Sequence, residues 1–179
     1  MAFEVLIAGL MWAAQAPPAA TPPEIAEFQK RVADYLKIRK DAASTVDTLR
    51  ATNSPEKIQG HQRDLAISIR AARPDAAQGN IFTPATATEF RRLIQAAVSA
   101  GGSDRVKKGL RDTQPSPLPP IAVNATYPVQ DPVQSMPPSL LKQLPPLPKE
   151  LEYRAVGHTL ILRDVDANLI VDYMNEAIP

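Results

Sequence analysis

The spacing of apolar residues predicts a long amphipathic helix in the first third of the chain. From Ile25 onward they recur at alternating steps of three and four, the pattern of a helix packed lengthwise on another helix. This stripe, called here the hairpin seam, consists of Ile25, Phe28, Val32, Tyr35, Ala42, Val46 and Leu49. No glycine or proline interrupts the run from the helix start at Thr21-Pro22-Pro23-Glu24 to Ala51, so we expect a helix about 40 Å long. Arg39 falls on the same stripe, and we expect it either to reach water or to pair with an acid of the facing helix, such as Asp64.

Two further helices are predicted. Asn53-Ser54-Pro55-Glu56 joins a capping residue to a proline at the first helical position, which indicates a stop and a restart. The second helix should end near Arg73-Pro74 or Gly79, and a tight connection would make the two helices antiparallel. Its apolar stripe is Ile58, Leu65, Ile69 and Ala72. A third helix is expected from Thr83-Pro84 to Ala100, where it would cover part of the seam. Its apolar face is Phe90, Leu93, Ile94, Ala97 and Val98.

The C-terminal part changes character twice. Residues 113–148 hold 11 of the 19 prolines, which favours extended polyproline II, and their apolar residues predict a strap along the helices with one helical turn at 139–144. The last thirty residues alternate with period two and predict strands at 151–156, 159–163 and 169–173. We therefore expect an α+β fold, mainly α. It comprises a long antiparallel helical hairpin, a third helix, a proline-rich extended strap and a small three-stranded antiparallel β-meander packed on the helices.

The N-terminal residues are typical of a signal peptide. Val5 to Ala16 is an apolar run of twelve residues, shorter than the roughly twenty that span a bilayer, and Ala14-Gln15-Ala16 matches a cleavage box. Glu4 stands where a basic residue is expected, so a buried N-terminal helix or a mis-assigned start is the alternative. The predicted division is a signal peptide at 1–20, a helical hairpin domain at 21–112, the strap at 113–148 and the meander at 149–179. The expected location is the bacterial periplasm or exterior, with no membrane span after cleavage.

Composition narrows the function. The 20 basic and 19 acidic residues nearly balance, which argues against nucleic-acid binding. The absence of cysteine excludes disulfides, thiolate metal sites and cysteine nucleophiles. His61 and His158 lie in different predicted elements, neither within a zinc-binding motif, and no G-x-S-x-G elbow is present. We therefore expect no catalytic residue and no cofactor.

One short motif raises the question of a cation. Asp164-Val165-Asp166-Ala167-Asn168 has the D-x-D-x-N spacing that opens a calcium loop. Leu169 replaces the glycine of such a loop, and Asn175 replaces its bidentate glutamate. The metal-ligand candidates are thus Asp164, Asp166 and Asn168, and a plain turn between two strands is the favoured interpretation.

The C-terminal third resembles a family of uncharacterised exported proteins of acidobacterial type. The resemblance lies in three segments, 137–141, 144–148 and 151–172, the last containing L-E-Y-R-A-V-G and L-I-L-R-D-V-D-A-N-L-I-V-D. It extends less specifically to Phe82-Thr83-Pro84 and to E-F-R-R-L-I at 89–94. It implies export and a shared fold, and no activity is established for that family. The hairpin also resembles periplasmic chaperones and stress sensors of the Spy and CpxP type, although their L-T-x-x-Q motif is missing.

Together these features predict a non-catalytic periplasmic or secreted protein. Its helices are expected to bind a protein partner or a second copy of the chain, with the hairpin seam driving dimerisation. Two alternatives stay open. One is an enzyme or calcium-dependent protein with a site assembled around Asp164, Asp166 and His61. The other is a chaperone or stress sensor built on the helical hairpin.

Overall fold

The structure, a computed structural model, describes residues 21–100, 120–128 and 136–178. The fold is α+β and mainly α, as predicted. The helices are α1 (Pro23–Ala43), α2 (Pro55–Ala72), α3 (Pro84–Ala100) and the short α4 (Pro138–Leu141). The strands are β1 (Leu151–Val156), β2 (Thr159–Asp164) and β3 (Leu169–Met174). The signal-peptide segment 1–20 and residues 101–119 and 129–135 of the predicted hairpin domain and strap lie outside the described residues.

Helix α1 is shorter than the sequence predicts, because it ends at Ala43 and not near Ala51. Just beyond its end, the hydroxyl groups of Ser44 and Thr45 donate to carbonyl oxygens of the last turn, which satisfies acceptors that would otherwise continue the helix. Several β-branched residues follow, and these have low helix propensity. Leu49, predicted on the seam, is consequently exposed.

The α1–α2 hairpin is antiparallel, but the two helices overlap only in part. Near the end of α1 the Ser68 hydroxyl donates to the Ala42 carbonyl (3.0 Å), and farther back the Arg73 guanidinium lies over the Tyr35 ring. The first turns of α2 therefore extend beyond the end of α1. This explains why Ile58, predicted on the buried stripe, is 37% exposed.

The sheet is an antiparallel meander in the order β1-β2-β3, and its strands match the predicted ones to within one residue. Gly157 has φ +56° in the two-residue turn between β1 and β2, a conformation that glycine adopts without steric cost. The pairing of β2 with β3 shifts between Leu162 and Arg163. Both faces of the sheet are buried: one packs against the helices, and the other buries Ile161 and Ile170 under Tyr127.

The segment 120–128 pairs with the sheet, whereas the sequence predicted a strap along the helices. The Asn124 N–H donates to the Ile170 carbonyl, and the Ile170 N–H donates to the Ala125 carbonyl, both at 2.9 Å. An edge strand has unpaired backbone groups on its outer side, and this segment satisfies those of β3. Arg70 of α2 also donates to the Asn124 carbonyl (2.7 Å), so the segment lies between α2 and β3.

An aromatic cluster joins the helices to the sheet at the centre of the core. Phe28 of α1 lies between Phe82 and Phe90, with ring centroids 5.6 and 4.8 Å away, and Tyr153 of β1 stacks on it at 6.4 Å. Most of the predicted seam, from Ile25 to Ala42, is buried in this same core. The seam is thus covered within the single chain by α3, α2 and the sheet.

Candidate functional site

The predicted cation ligands engage protein groups. The Asp164 carboxylate has no exposed surface. Its Oδ2 accepts from the Tyr35 hydroxyl (2.8 Å) and from Arg39 Nε (2.7 Å), while its Oδ1 accepts from the Ala167 N–H (2.9 Å). Arg39 also binds the exposed Asp166 through its second nitrogen. A guanidinium group therefore already bridges the two carboxylates and supplies one positive charge to the pair.

Asn168 has a structural position of the same kind. Its backbone is left-handed, with φ +48°, which asparagine tolerates better than most residues. Its side-chain Oδ1 accepts from Arg163 Nε (3.0 Å), and its Nδ2 donates to the Tyr127 carbonyl (2.9 Å). Asp164 and Asn168 thus flank the β2–β3 turn, and each accepts a hydrogen bond from an arginine: Asp164 from Arg39, and Asn168 from Arg163.

The pairing of Arg39 corrects one sequence prediction. Its acid is Asp164 on β2, and the suggested Asp64 instead lines a hollow at the surface. Burial and the Asp164 charge raise the pKa of Tyr35, so its hydroxyl stays a neutral donor to that carboxylate.

A second buried carboxylate was missed by the sequence analysis. Asp172 of β3 has no exposed surface and accepts four backbone N–H groups at 2.7–2.9 Å. The four donors belong to Gly79, Ile81, Phe82 and Tyr173. A carboxylate inside the otherwise apolar strand L-I-V-D-Y-M was the available signal.

The two histidines are separate from these groups. His158 lies at the β1–β2 turn, where its Nδ1 is 2.8 Å from the Ile178 carbonyl and its own carbonyl accepts from the Ala177 N–H. His61 is half-buried on α2. Within the described ranges no three His, Asp or Glu side chains come together in a way that could hold a metal ion.

The outward face of α2 carries two concavities, one on each flank of the helix. A groove of about 400 Å³ runs between α2, Thr126 and the β2–β3 turn, and none of the described residues that line it is acidic. We call it the α2 groove; its polar lining is Gln59, Gln62, Arg63, Arg70, Thr126 and Asn168. On the other flank of the helix an acidic hollow of about 460 Å³ is lined by Thr45, Val46, Asp47, Asp64 and Ser68. Ile67 borders both concavities and is 61% exposed.

Of the two arginines in the groove, Arg63 is the one whose guanidinium group is available to a partner. Arg70 donates to the Asn124 carbonyl and to the Thr126 hydroxyl, so its fork is largely used. Arg63 makes no hydrogen bond or ion pair to any other described residue. An exposed apolar side chain beside an unpaired guanidinium is a combination typical of protein-contact sites.

Comparisons with known proteins give no assignment: no family model, no curated protein and no solved structure matches the chain. In the part of the chain that the structure describes, no helix has both the length and the apolar character needed to cross a membrane.

Proposed function

We propose that this chain is a non-catalytic, exported protein-binding module of the bacterial periplasm or cell envelope, and that α2 is its contact surface. The observation that carries the proposal is the α2 groove, with exposed Ile67 on its rim and, in its wall, Arg63, which has no partner among the described residues. The two buried carboxylates give no competing site, since Asp164 and Asp172 are occupied by bonds that hold the fold.

The lining of the groove defines the partner chemistry. It contains two arginines, two glutamines and no carboxylate, so it suits a segment that carries an acidic side chain. Ile67 would insert into an apolar depression of the partner and exclude water from the neighbouring charge pair. The fit is therefore to a protein segment with an acidic residue next to an apolar one.

Self-association through the hairpin seam has little support from the geometry. Phe28, Val32 and Tyr35 are at most 4% exposed within the single chain, so a second copy would have to displace the sheet or α3 to reach them. The α2 surface, with its exposed Ile67, remains available for such a contact. A second copy bound there is one outcome of the experiment below.

The test is affinity capture from the native cell envelope with the wild-type chain and two variants. Ile67→Asp replaces the exposed apolar side chain with a carboxylate, and Arg63→Glu reverses the charge in the groove wall. Each variant should lower the amount of captured partner by about tenfold or more. Leu141→Asp on α4 is the matched control. Leu141 is an exposed aliphatic residue (43%) of the same size as Ile67, and it does not line the groove.

The outcomes separate the alternatives. Capture that the two α2 variants abolish and the Leu141 variant preserves supports the groove. Equal capture by all four chains, with intact folding by circular dichroism, contradicts it. Light scattering of the purified chain identifies a dimer if the partner is a second copy. Immunoblotting of periplasmic and cytoplasmic fractions tests the proposed export separately.

A further inference from the structure

Another concavity lies at the C-terminal end of α2. It is a cleft of about 370 Å³ between α1 and the loop that follows α2, and we call it the Arg73 cleft. From α1 it is lined by Arg31, Asp34, Tyr35 and Ile38, which share one helix face. From the loop it is lined mainly by residues 72–76.

Arg73 forms part of the wall and is incompletely paired. It is 9% exposed, its Nη2 donates to the Val171 carbonyl (3.0 Å), and its Cζ lies 5.2 Å from the centroid of the Tyr35 ring. Its Nη1 is buried and has no hydrogen-bond acceptor among the described residues. It forms no salt bridge with them. Buried guanidinium groups are normally bonded through most of their donors and paired with an anion.

The neighbouring acids do not supply that anion. Both oxygens of Asp172 are already occupied by backbone N–H groups, and Asp164 is bound by Tyr35 and Arg39. Burial lowers the pKa of Arg73, which is the direction expected for a cation that lacks a close counter-ion.

The exposed side of the cleft has the opposite, equally unpaired charge. Asp75 is exposed, and its carboxylate makes no hydrogen bond or ion pair to the residues that the structure describes. Asp34 is held by Lys37 (2.8 Å), and Arg31 is held by Glu27. Among the described residues that line the cleft, one cation (Arg73) and one anion (Asp75) therefore remain without a charged partner, and they are two positions apart in the chain, so that their Cα atoms are at most about 7 Å apart.

We propose that the Arg73 cleft binds a free α-amino acid with an aliphatic side chain. The ligand carboxylate would take the free donor of Arg73, and its ammonium group would pair with Asp75. The apolar lining, to which Ile38, Pro74 and Ile81 belong, would receive the side chain. A simple anion or a simple amine would leave one of the two protein charges unpaired. The volume is within the range of small-molecule sites.

Titration calorimetry of the full chain tests this with three probes of similar shape. L-leucine carries both charges, isocaproate lacks the ammonium group, and isoamylamine lacks the carboxylate. L-leucine should bind, and each analogue should bind about tenfold more weakly or worse, because each loses one charge pair.

Two variants assign the charges to residues. Asp75→Asn removes an exposed carboxylate with little effect on folding; it should weaken L-leucine binding about tenfold and leave isocaproate unchanged. Arg73→Lys removes the Nη1 donor that the ligand carboxylate would use, so it should weaken the binding of L-leucine and isocaproate but not that of isoamylamine. Asp41→Asn, at an exposed acid of α1 that does not line the cleft, should leave all three affinities unchanged.

The results have clear readings. Weaker binding of both analogues by the wild-type chain, together with the expected change of affinity in each variant, supports the site. Absence of L-leucine binding at millimolar concentration overturns it, and so does equal binding of L-leucine and isocaproate, which would indicate a site for carboxylates alone. If Arg73→Lys fails to fold by circular dichroism, Asp75→Asn still decides, since unchanged L-leucine affinity in that variant contradicts the proposal. None of these outcomes depends on the α2 groove.

Discussion

Asp164 and Asp172 show how this chain keeps two carboxylates in its interior. A buried carboxylate is unfavourable unless hydrogen bonds and positive charge replace its hydration. Asp164 obtains both from Tyr35 and Arg39 of α1, whereas Asp172 obtains four backbone N–H groups, three of them from residues 79–82. The two residues therefore fix α1 and the α2–α3 connection on the sheet.

The contribution of Asp164 can be measured against its exposed neighbour. Asp164→Ala leaves Arg39 without its buried partner and should lower the free energy of unfolding by about 3–5 kcal/mol. Asp166→Ala removes a side chain that is 59% exposed and should lower it by at most about 1 kcal/mol. Urea denaturation followed by circular dichroism gives both values. Similar losses in the two variants would contradict the assigned roles.

At the residue scale, the sequence predicts that a residue such as Arg39 needs a charged partner. It does not predict which residue that partner is. The stripe position of Arg39 indicated a need for an acid, and periodicity suggested a facing helix. The acid lies 125 positions away on β2. Periodicity defines the buried face of a helix, but the element that covers this face depends on the tertiary fold. The cleft around Arg73 was missed because its two sides come from separate elements.

The elements themselves follow local rules closely where those rules are strong. The strands were predicted to within one residue because apolar alternation and the Gly157 turn agree. α3 begins at the predicted proline and ends at Ala100. Helix α1 ends earlier than its unbroken apolar stripe predicts, because the β-branched residues after Ser44 have low helix propensity.

Strand β1 gives the molecule a measurable response to alkaline pH. Burial raises the pKa of Tyr153, whose hydroxyl donates to the Pro145 carbonyl (3.0 Å). An unfolded tyrosine loses its proton near pH 10, while the folded one keeps it. Stability from this group is therefore complete below about pH 10 and decreases as the pH rises further, by up to about 1.4 kcal/mol per unit.

Tyr153→Phe should remove this contribution and make the alkaline part of the stability curve less steep, while the buried Tyr35 keeps its own contribution. The wild-type and variant free energies of unfolding are to be compared by urea denaturation between neutral pH and pH values above the tyrosine range. Their difference should be constant at neutral pH and shrink above about pH 10. A constant difference over the whole range would contradict the prediction.

In the whole molecule, helices and sheet share one core. The main buried cluster runs from Ile25 of α1 through Phe90 of α3 to Leu160 and Val171 of the sheet. The sequence suggested a meander packed on a hairpin, and the structure adds that the meander is also buried on its other face. Its apolar residues, such as Leu160 and Ile161, have no exposed surface.

A truncated chain tests whether the helices can fold without the sheet. A chain that ends at Pro148 loses β1–β3 and should show no cooperative thermal transition by circular dichroism, because Phe28 and the rest of the seam lose their cover. A chain that begins at Thr21 is the control and should keep the full transition. A cooperative transition in the chain that ends at Pro148 would mean that the hairpin is independently stable.

The bond between Tyr35 and Asp164 spans 129 positions, and this separation has a consequence during synthesis. Helix α1 leaves the ribosome long before the strand that completes its surroundings has been translated. Contacts so distant in sequence form late and slowly, so the nascent chain stays unfolded until its last strands appear. Late folding of this kind is compatible with the export proposed above, because secretion machinery that threads polypeptides needs them unfolded.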